Sequence, residues 1–271
     1  MPPNASLQPL VVVTGGLGRI GAVIGPALAG SARIRVVDQA TSPPQFAAEL
    51  VCGDLSDPRT ADRALDGADA VVHLAGLGDP RAGWEEVYRA NIVTTRHVLE
   101  AAERHGVRRI VLAGSVHAMG EYNRPATRPV DPARPPRPCC AYGLSKVAVE
   151  LLGRLHAERT AASVVVLRLG LTGWPLTERR YLGMWLSDRD AAHAVLASLT
   201  APPGFGAHFA VSANTRRHWD TGSATSAFGY RPRDDSEIWA AVTGPPAEHV
   251  CRLFGPAEDP PRPSRYDRNP R

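Results

Sequence analysis

The run Leu10-Val11-Val12-Val13-Thr14-Gly15-Gly16-Leu17-Gly18-Arg19-Ile20-Gly21 decides how this chain is read. An apolar strand ends at Val13, and an Ala-rich helical stretch continues to Leu28. Between them Gly15, Gly18 and Gly21 fall in a G-x-x-G-x-x-G pattern. The first glycine permits the tight turn, the second lets backbone approach a pyrophosphate, and the third allows close helix packing. Leu17, Arg19 and Ile20 fill the turn and the helix start, where amide N–H groups and the macrodipole favour phosphate. The pattern is weak alone; directly after a strand and before a helix it is strong.

Outward from that run the pattern alternates. Strands are predicted at Arg33–Val37, ending in Asp38, then at Glu49–Cys52, Ala70–Leu74, Arg109–Ala113 and Val164–Leu169. Helices are predicted at about Thr60–Leu65, Trp84–His105 and Tyr142–Arg159. Such alternation means an α/β fold with a parallel, doubly wound sheet. Asp38 is placed to accept hydrogen bonds from ribose hydroxyls, and an acid there repels a 2′-phosphate, which favours NAD over NADP. Arg33 and Arg35 precede it and read as surface strand residues. Asp54 and Leu55, after the third strand, can bracket an adenine. Leu74, Ala75 and Gly76 bring backbone close to the cofactor at the end of the fourth. Residues 1–170 form the expected nucleotide-binding core, 171–255 a small C-terminal substrate-binding annex, and 256–271 a Pro-rich tail. The Pro/Arg-rich stretch from Tyr122 to Cys140 is expected to lie as a lid beside the site.

The 271 residues, 44% of them hydrophobic, are ample for one large core. No apolar run is long enough to span a membrane, and the N-terminus has no signal-like core, so a soluble, cytoplasmic protein is expected. A net charge of +4 is too small for a nucleic-acid footprint. Cys52, Cys139, Cys140 and Cys251 show no C-x-x-C spacing, and the nine histidines no H-E-x-x-H, so no metal site is predicted.

Of the 31 basic residues a single one is lysine, Lys146, in a chain whose Arg, Ala, Pro and Gly content suggests a GC-rich coding sequence. It stands in Tyr142-Gly143-Leu144-Ser145-Lys146, and residues four apart share one helical face. A tyrosine of ordinary pKa about 10 is a poor base at neutral pH. A neighbouring ammonium is expected to lower that value toward the range useful for proton transfer. Ser115, at a strand end upstream, can donate a hydrogen bond to the substrate oxygen. His117 lies two residues further on, near the pocket. Trp174, Tyr181 and Trp185 are candidates for an aromatic wall, with core packing the safer reading for Trp185.

The T-G-x-x-G-x-x-G opening, His73-Leu74-Ala75-Gly76, Asn91, Ser115 and the Tyr142/Lys146 pair resemble the extended short-chain dehydrogenases/reductases, a Rossmann-fold family. More narrowly, Trp185-Leu186-Ser187-Asp188-Arg189-Asp190, Ser212-Ala213-Asn214-Thr215 with Trp219-Asp220, and Asp234-Asp235-Ser236-Glu237-Ile238-Trp239 resemble the uronate dehydrogenases. The resemblance covers about residues 10 to 245. It implies an NAD-linked enzyme taking hydride from a ring carbinol, with Ser115, Tyr142 and Lys146 catalytic and Asn91 fixing backbone beside the cofactor. It also implies a homodimer formed through the two long helices. In those enzymes a Ser, an Asn and an Arg line the substrate pocket. Arg180 matches the Arg, but Gly78 and Val116 stand where the Ser and Asn are expected. Losing both hydrogen-bonding groups implies a less hydroxylated substrate.

The first functional expectation is therefore an NAD(P)-linked interconversion of secondary alcohol and ketone on a small polar ring, sugar-like or nucleoside-like, as in natural-product or antibiotic biosynthesis. The alternatives are uronate dehydrogenase, giving an aldarolactone, and a nucleotide-sugar epimerase or dehydratase. The dehydratases carry acids after the catalytic Ser/Thr, where Val116 and His117 stand here. A non-catalytic NAD(P) sensor is the reading from outside the enzymes, and such relatives lose the Tyr/Lys pair that this chain keeps.

Overall fold

A computed structural model describes residues 8–123, 128–173 and 175–244. Trp174, the Pro-rich tail 256–271, Cys251 and part of the 122–140 stretch lie outside the described residues. The strands are β1 (Leu10–Thr14), β2 (Arg33–Asp38), β3 (Glu49–Cys52), β4 (Ala70–His73), β5 (Arg109–Ser115), β6 (Ser163–Leu169), β7 (Leu171–Thr172), β8 (Trp185–Leu186) and β9 (Gly204–Ala210). The helices are α1 (Arg19–Leu28), α2 (Pro58–Leu65), α3 (Trp84–Val87), α4 (Thr94–Arg104), α5 (Ala141–Arg159), α6 (Asp188–Ser198) and α7 (Gly222–Phe228).

Seven strands make one parallel sheet in the order β3-β2-β1-β4-β5-β6-β9. Strands β1, β4 and β6 are buried throughout, because helices cover both faces. One face carries Val11, Val13, Val72 and Leu167 against α1 and α6. The other carries Val12, Val71, Ile110 and Leu112 against α2, α4 and α5. The order reverses at β1 and β4. Their carboxyl ends open the crevice where doubly wound sheets take ligands.

Two features differ from the sequence expectation. The sheet continues past residue 170, because β9 pairs with β6 over its full length. The predicted Trp84–His105 helix has a π-helical segment, Tyr88–Val93, between α3 and α4. Thr94 and Thr95 hydroxyls hydrogen-bond the carbonyls of Ala90 and Asn91, both at 2.6 Å. These back-bonds lie at the end of the π-helical segment, where the ordinary α ladder resumes.

The uronate-dehydrogenase-like motifs form one hydrogen-bonded knot. Ser187 caps α6 by accepting the Asp190 amide at 3.0 Å, and Asp190 accepts the amides of Arg233 and Asp234. Asn214 donates to the Trp185 carbonyl and accepts from the Ser236 amide. Nor does the described part of the 122–140 stretch lie free: Val130 exchanges backbone hydrogen bonds with His218 and Asp220, and Pro132 accepts from Arg168. That stretch is a strap onto the C-terminal region, and its residues 128–138 do not line the cavity. Among the described residues no helix is long and apolar enough to cross a membrane.

Candidate active site

A cavity of about 940 Å³ opens at the carboxyl ends of β1, β2, β4, β5 and β6. Gly15 turns there with φ +64°, its amide donating to the Val37 carbonyl at 2.7 Å, and a Cβ on it would come within 2.8 Å of Ala75 Cα. Only glycine allows this approach. Gly18 is the N-cap of α1, which has neither a capping side chain nor an acid in its first turn. The positive helix end therefore faces a cavity lined by Leu17, Gly18, Arg19, Ile20 and Gly21. Asp38 closes β2 at the rim, accepting the amides of Leu17 at 3.1 Å and Ala40 at 3.2 Å. Asp54, Leu55, Leu74, Ala75, Gly76 and Gly78 continue the wall.

Buried side chains set the shape of that wall. His73 joins Thr14 Oγ1 at 2.7 Å to Thr95 Oγ1 at 3.0 Å, and Thr14 Oγ1 accepts the Ala75 amide. Desolvation pushes the His73 pKa down to about 3, so it is a neutral structural link. Asn91 is buried behind the lining. Its Oδ1 accepts the Leu77 amide at 2.7 Å, and its Nδ2 donates to Leu77 O and Ser145 Oγ. Gly76, at φ +151°, leaves room for it, because a Cβ there would meet Asn91 Oδ1 at 2.5 Å. Asn91 thus fixes backbone, as the sequence implied, without reaching the cavity.

Ser115, Val116, His117, Tyr142 and Lys146 meet at the other end. Ser115 ends β5 and its Oγ accepts the His117 amide at 3.2 Å, starting the 3-10 turn Val116–Tyr122. Tyr142 and Lys146 project from α5, and Lys146 Nζ donates to the Ala113 carbonyl at 2.9 Å. The electrostatics differ from the sequence expectation. Burial holds the Tyr142 pKa above that of an ordinary phenol, its hydrogen bond to Ser115 pulls the other way, and negative charge on Cys140 and Cys139 raises it further. Lys146 is itself pushed down to about 8 by desolvation. Its Nζ lies 5.8 Å from the Tyr142 ring centre and spends a hydrogen bond on Ala113. In this protein burial, and not the neighbouring ammonium, sets the direction of the Tyr142 shift.

Arg180 is not brought to the cavity: its Nε lies 2.8 Å from Glu178 Oε2, and both side chains are largely buried. Tyr181 and Trp185 are also outside the lining; Trp185 packs with Leu176 and Leu182 and donates to Gly173 O at 3.0 Å. Sequence reading missed Thr172 and Met184, which line the cavity from the segments after β6. It also missed that Cys139 and Cys140 come together with His117. The vicinal cysteines just before Tyr142 were the available signal.

A parallel sheet reversing at a glycine-lined helix end, with Ser, Tyr and Lys at the far side of one crevice, defines a nucleotide-dependent oxidoreductase. The chain belongs to the NAD dependent epimerase/dehydratase family, whose pattern matches residues 11–172. It is 36% identical to L-arabinose 1-dehydrogenase (NAD(P)(+)) of Haloferax volcanii, over 83% of this chain and 97% of the relative. It is 33% identical to uronate dehydrogenase of Pseudomonas syringae, over 85% and 84%. The crystal structure of a mutant uronate dehydrogenase from Agrobacterium tumefaciens complexed with NAD matches at TM-score 0.82 and 28% identity, over 93% and 98%. The protein is an NAD(P)-dependent short-chain dehydrogenase/reductase acting on CH–OH groups, with NAD as cofactor and NADP as the alternative. The cradle at Gly15, the uncapped α1 and the carboxylate of Asp38 fit that cofactor.

Proposed function

We propose that the protein is an NAD-dependent sugar dehydrogenase of the cytoplasm that oxidises the ring carbinol of a cyclic sugar acid to a lactone. The meeting of Ser115, Tyr142 and Lys146 in the crevice that begins at Gly15 carries the reading. Gly15, Leu17, Gly18, Arg19, Ile20, Gly21, Asp38, Asp54, Leu55, Leu74, Ala75 and Gly76 hold the cofactor. Bound NAD supplies the hydride acceptor. Ser115 Oγ donates to the reacting oxygen and orients it. Tyr142 Oη takes the hydroxyl proton as the carbonyl forms, with Lys146 one turn further along the same face of α5. Gly78, Val116 and His117 shape the substrate end, with residues 171–244 closing the far side through Leu171, Thr172 and Met184.

This reading adopts uronate oxidation over the natural-product alcohol first expected, because the relatives named above are sugar dehydrogenases. A second reading is a neutral aldose. Gly78 and Val116 favour it, since they offer no side-chain donors at the substrate end, while Arg19 and Arg89 are cations that line the cavity. NADH formation from galacturonate and glucuronate against L-arabinose and galactose decides between them. Turnover on the acids alone supports the first reading, on the neutral sugars alone the second, and on neither overturns both.

We also propose a homodimer. Trp84 on α3, Tyr88 at the start of the π-helical segment and Leu144, Leu151 and Leu155 on α5 are exposed, Leu151 by 60%. Such a patch on neighbouring helices suits a self-complementary interface.

A further inference from the structure

Beside Tyr142 the chain gathers three soft donors from two segments. His117 Nδ1 lies 3.4 Å from Cys139 Sγ and 3.5 Å from Cys140 Sγ, and the two sulfurs are 4.0 Å apart. It is the one such grouping of three among the described residues. A tetrahedral zinc ion, with metal–sulfur bonds of about 2.3 Å and metal–nitrogen bonds of about 2.0–2.1 Å, sets sulfur–sulfur separations of about 3.8 Å and sulfur–nitrogen separations of about 3.6 Å. All three observed distances match within about 0.2 Å. Without an ion the three atoms meet as thiol hydrogen-bond partners, and Cys139 Sγ also reaches the His117 carbonyl at 3.6 Å, so the donors already converge.

The surroundings prepare these atoms for a cation. Cys140 is the N-cap of α5 and its Sγ accepts the Gly143 amide at 3.4 Å, so the sulfur is held in place at the helix end. His117 is fixed from both sides: its amide bonds Ser115 Oγ, and its carbonyl accepts the Cys139 amide at 3.4 Å. Gly143 lets α5 approach, since a Cβ there would come within 2.4 Å of the His117 carbonyl oxygen. The ligand backbone is therefore ordered before any ion arrives.

We propose that His117, Cys139 and Cys140 form a binding site for a thiophilic divalent cation of the zinc class. The ion displaces two thiol protons to solvent, forms two metal–sulfur bonds and one bond to Nδ1, and keeps its fourth position for water or another ligand. No oxidation state changes. Bound there, it pins the start of the catalytic helix to the turn that follows Ser115, at a residue that itself lines the cavity.

Co²⁺ titration of the reduced, full-length protein tests this, followed by displacement with Zn²⁺. The expected result is one equivalent per chain, with the strong visible bands of tetrahedral cobalt and thiolate charge transfer, and a higher melting temperature with Zn²⁺. Cys140→Ser is an informative variant, because serine preserves the helix cap while removing the thiolate. With Cys139→Ser and His117→Gln it should weaken Co²⁺ more than about 100-fold, beyond what outer-shell partners command. Cys52→Ser should leave binding unchanged. Octahedral, thiolate-free spectra in a folded protein that still binds NAD would overturn the proposal. So would a mass two hydrogens lighter under native conditions, the mark of a Cys139–Cys140 disulfide. The readouts are independent of turnover, so the site stands or falls apart from the sugar reading.

Discussion

Tyr142 and Lys146 set the most demanding balance at the scale of single residues. Tyr142→Phe keeps the packing against His117 and removes the one hydroxyl that can take the substrate proton. Turnover should fall by at least about 100-fold with NAD affinity unchanged; a cofactor titration beside the kinetics checks it. Lys146 is buried with its pKa lowered from 10.5 to about 8, a shift worth on the order of 3 kcal/mol. Below pH about 8 the folded and unfolded chains both carry that proton, and the folded state bears the full burial cost. Between about 8 and 10.5 only the unfolded chain holds it, so stability rises with pH; above 10.5 the cost is gone. Lys146→Met should therefore be inactive yet more stable at neutral pH by about 2 kcal/mol, with about 1 lost for the unpartnered Ala113 carbonyl. Denaturant midpoints should put the variant ahead at neutral pH and behind the parent near pH 10. Asp38→Ala should erode the preference for NAD over NADP, read from the two KM values. These residues were legible because their types are rare at their spacing, above all a lone lysine four residues after a tyrosine. Their pKa values were not legible, because desolvation depends on what covers them.

Among the elements, the N-terminal strand, turn and helix were readable because a glycine-specific turn leaves its signature in the chain. Gly15→Ala would place a Cβ 2.8 Å from Ala75 Cα at a positive φ. It should cost about 1–2 kcal/mol and weaken NAD at least about tenfold, measured by melting and by titration. Two elements were hidden. The segment Gly204-Phe205-Gly206-Ala207-His208-Phe209-Ala210 has two glycines and no clean apolar run, yet it is the seventh strand, because β6 offers it a partner edge. The π-helical segment was also hidden, since one wider turn inside a long amphipathic stretch barely alters the apolar spacing. Asn91 sits in that segment and reaches both Leu77 and Ser145, so it ties the β4 loop to α5.

At the scale of the whole molecule, the division at residue 170 was a statement about chain order. In space, α6 packs beside α1 and β9 completes the sheet, while Leu171, Thr172 and Met184 reach the cavity. Long-range docking of this kind leaves little local pattern, so the motifs showed only that the segment resembles known enzymes. The exposed leucines of α5 give the assembly its test: Leu151→Glu with Leu155→Glu should convert a dimer to a monomer in sedimentation, with the fold intact by circular dichroism. The whole crevice is proposed to act on a sugar. NADH formation by the purified protein with galacturonate, glucuronate, L-arabinose and galactose, run in parallel with Tyr142→Phe, tests it most directly. Turnover on at least one of these sugars, lost in the variant, is the expected result. No turnover on any of them by protein that demonstrably binds NAD, or equal turnover by Tyr142→Phe, would contradict it.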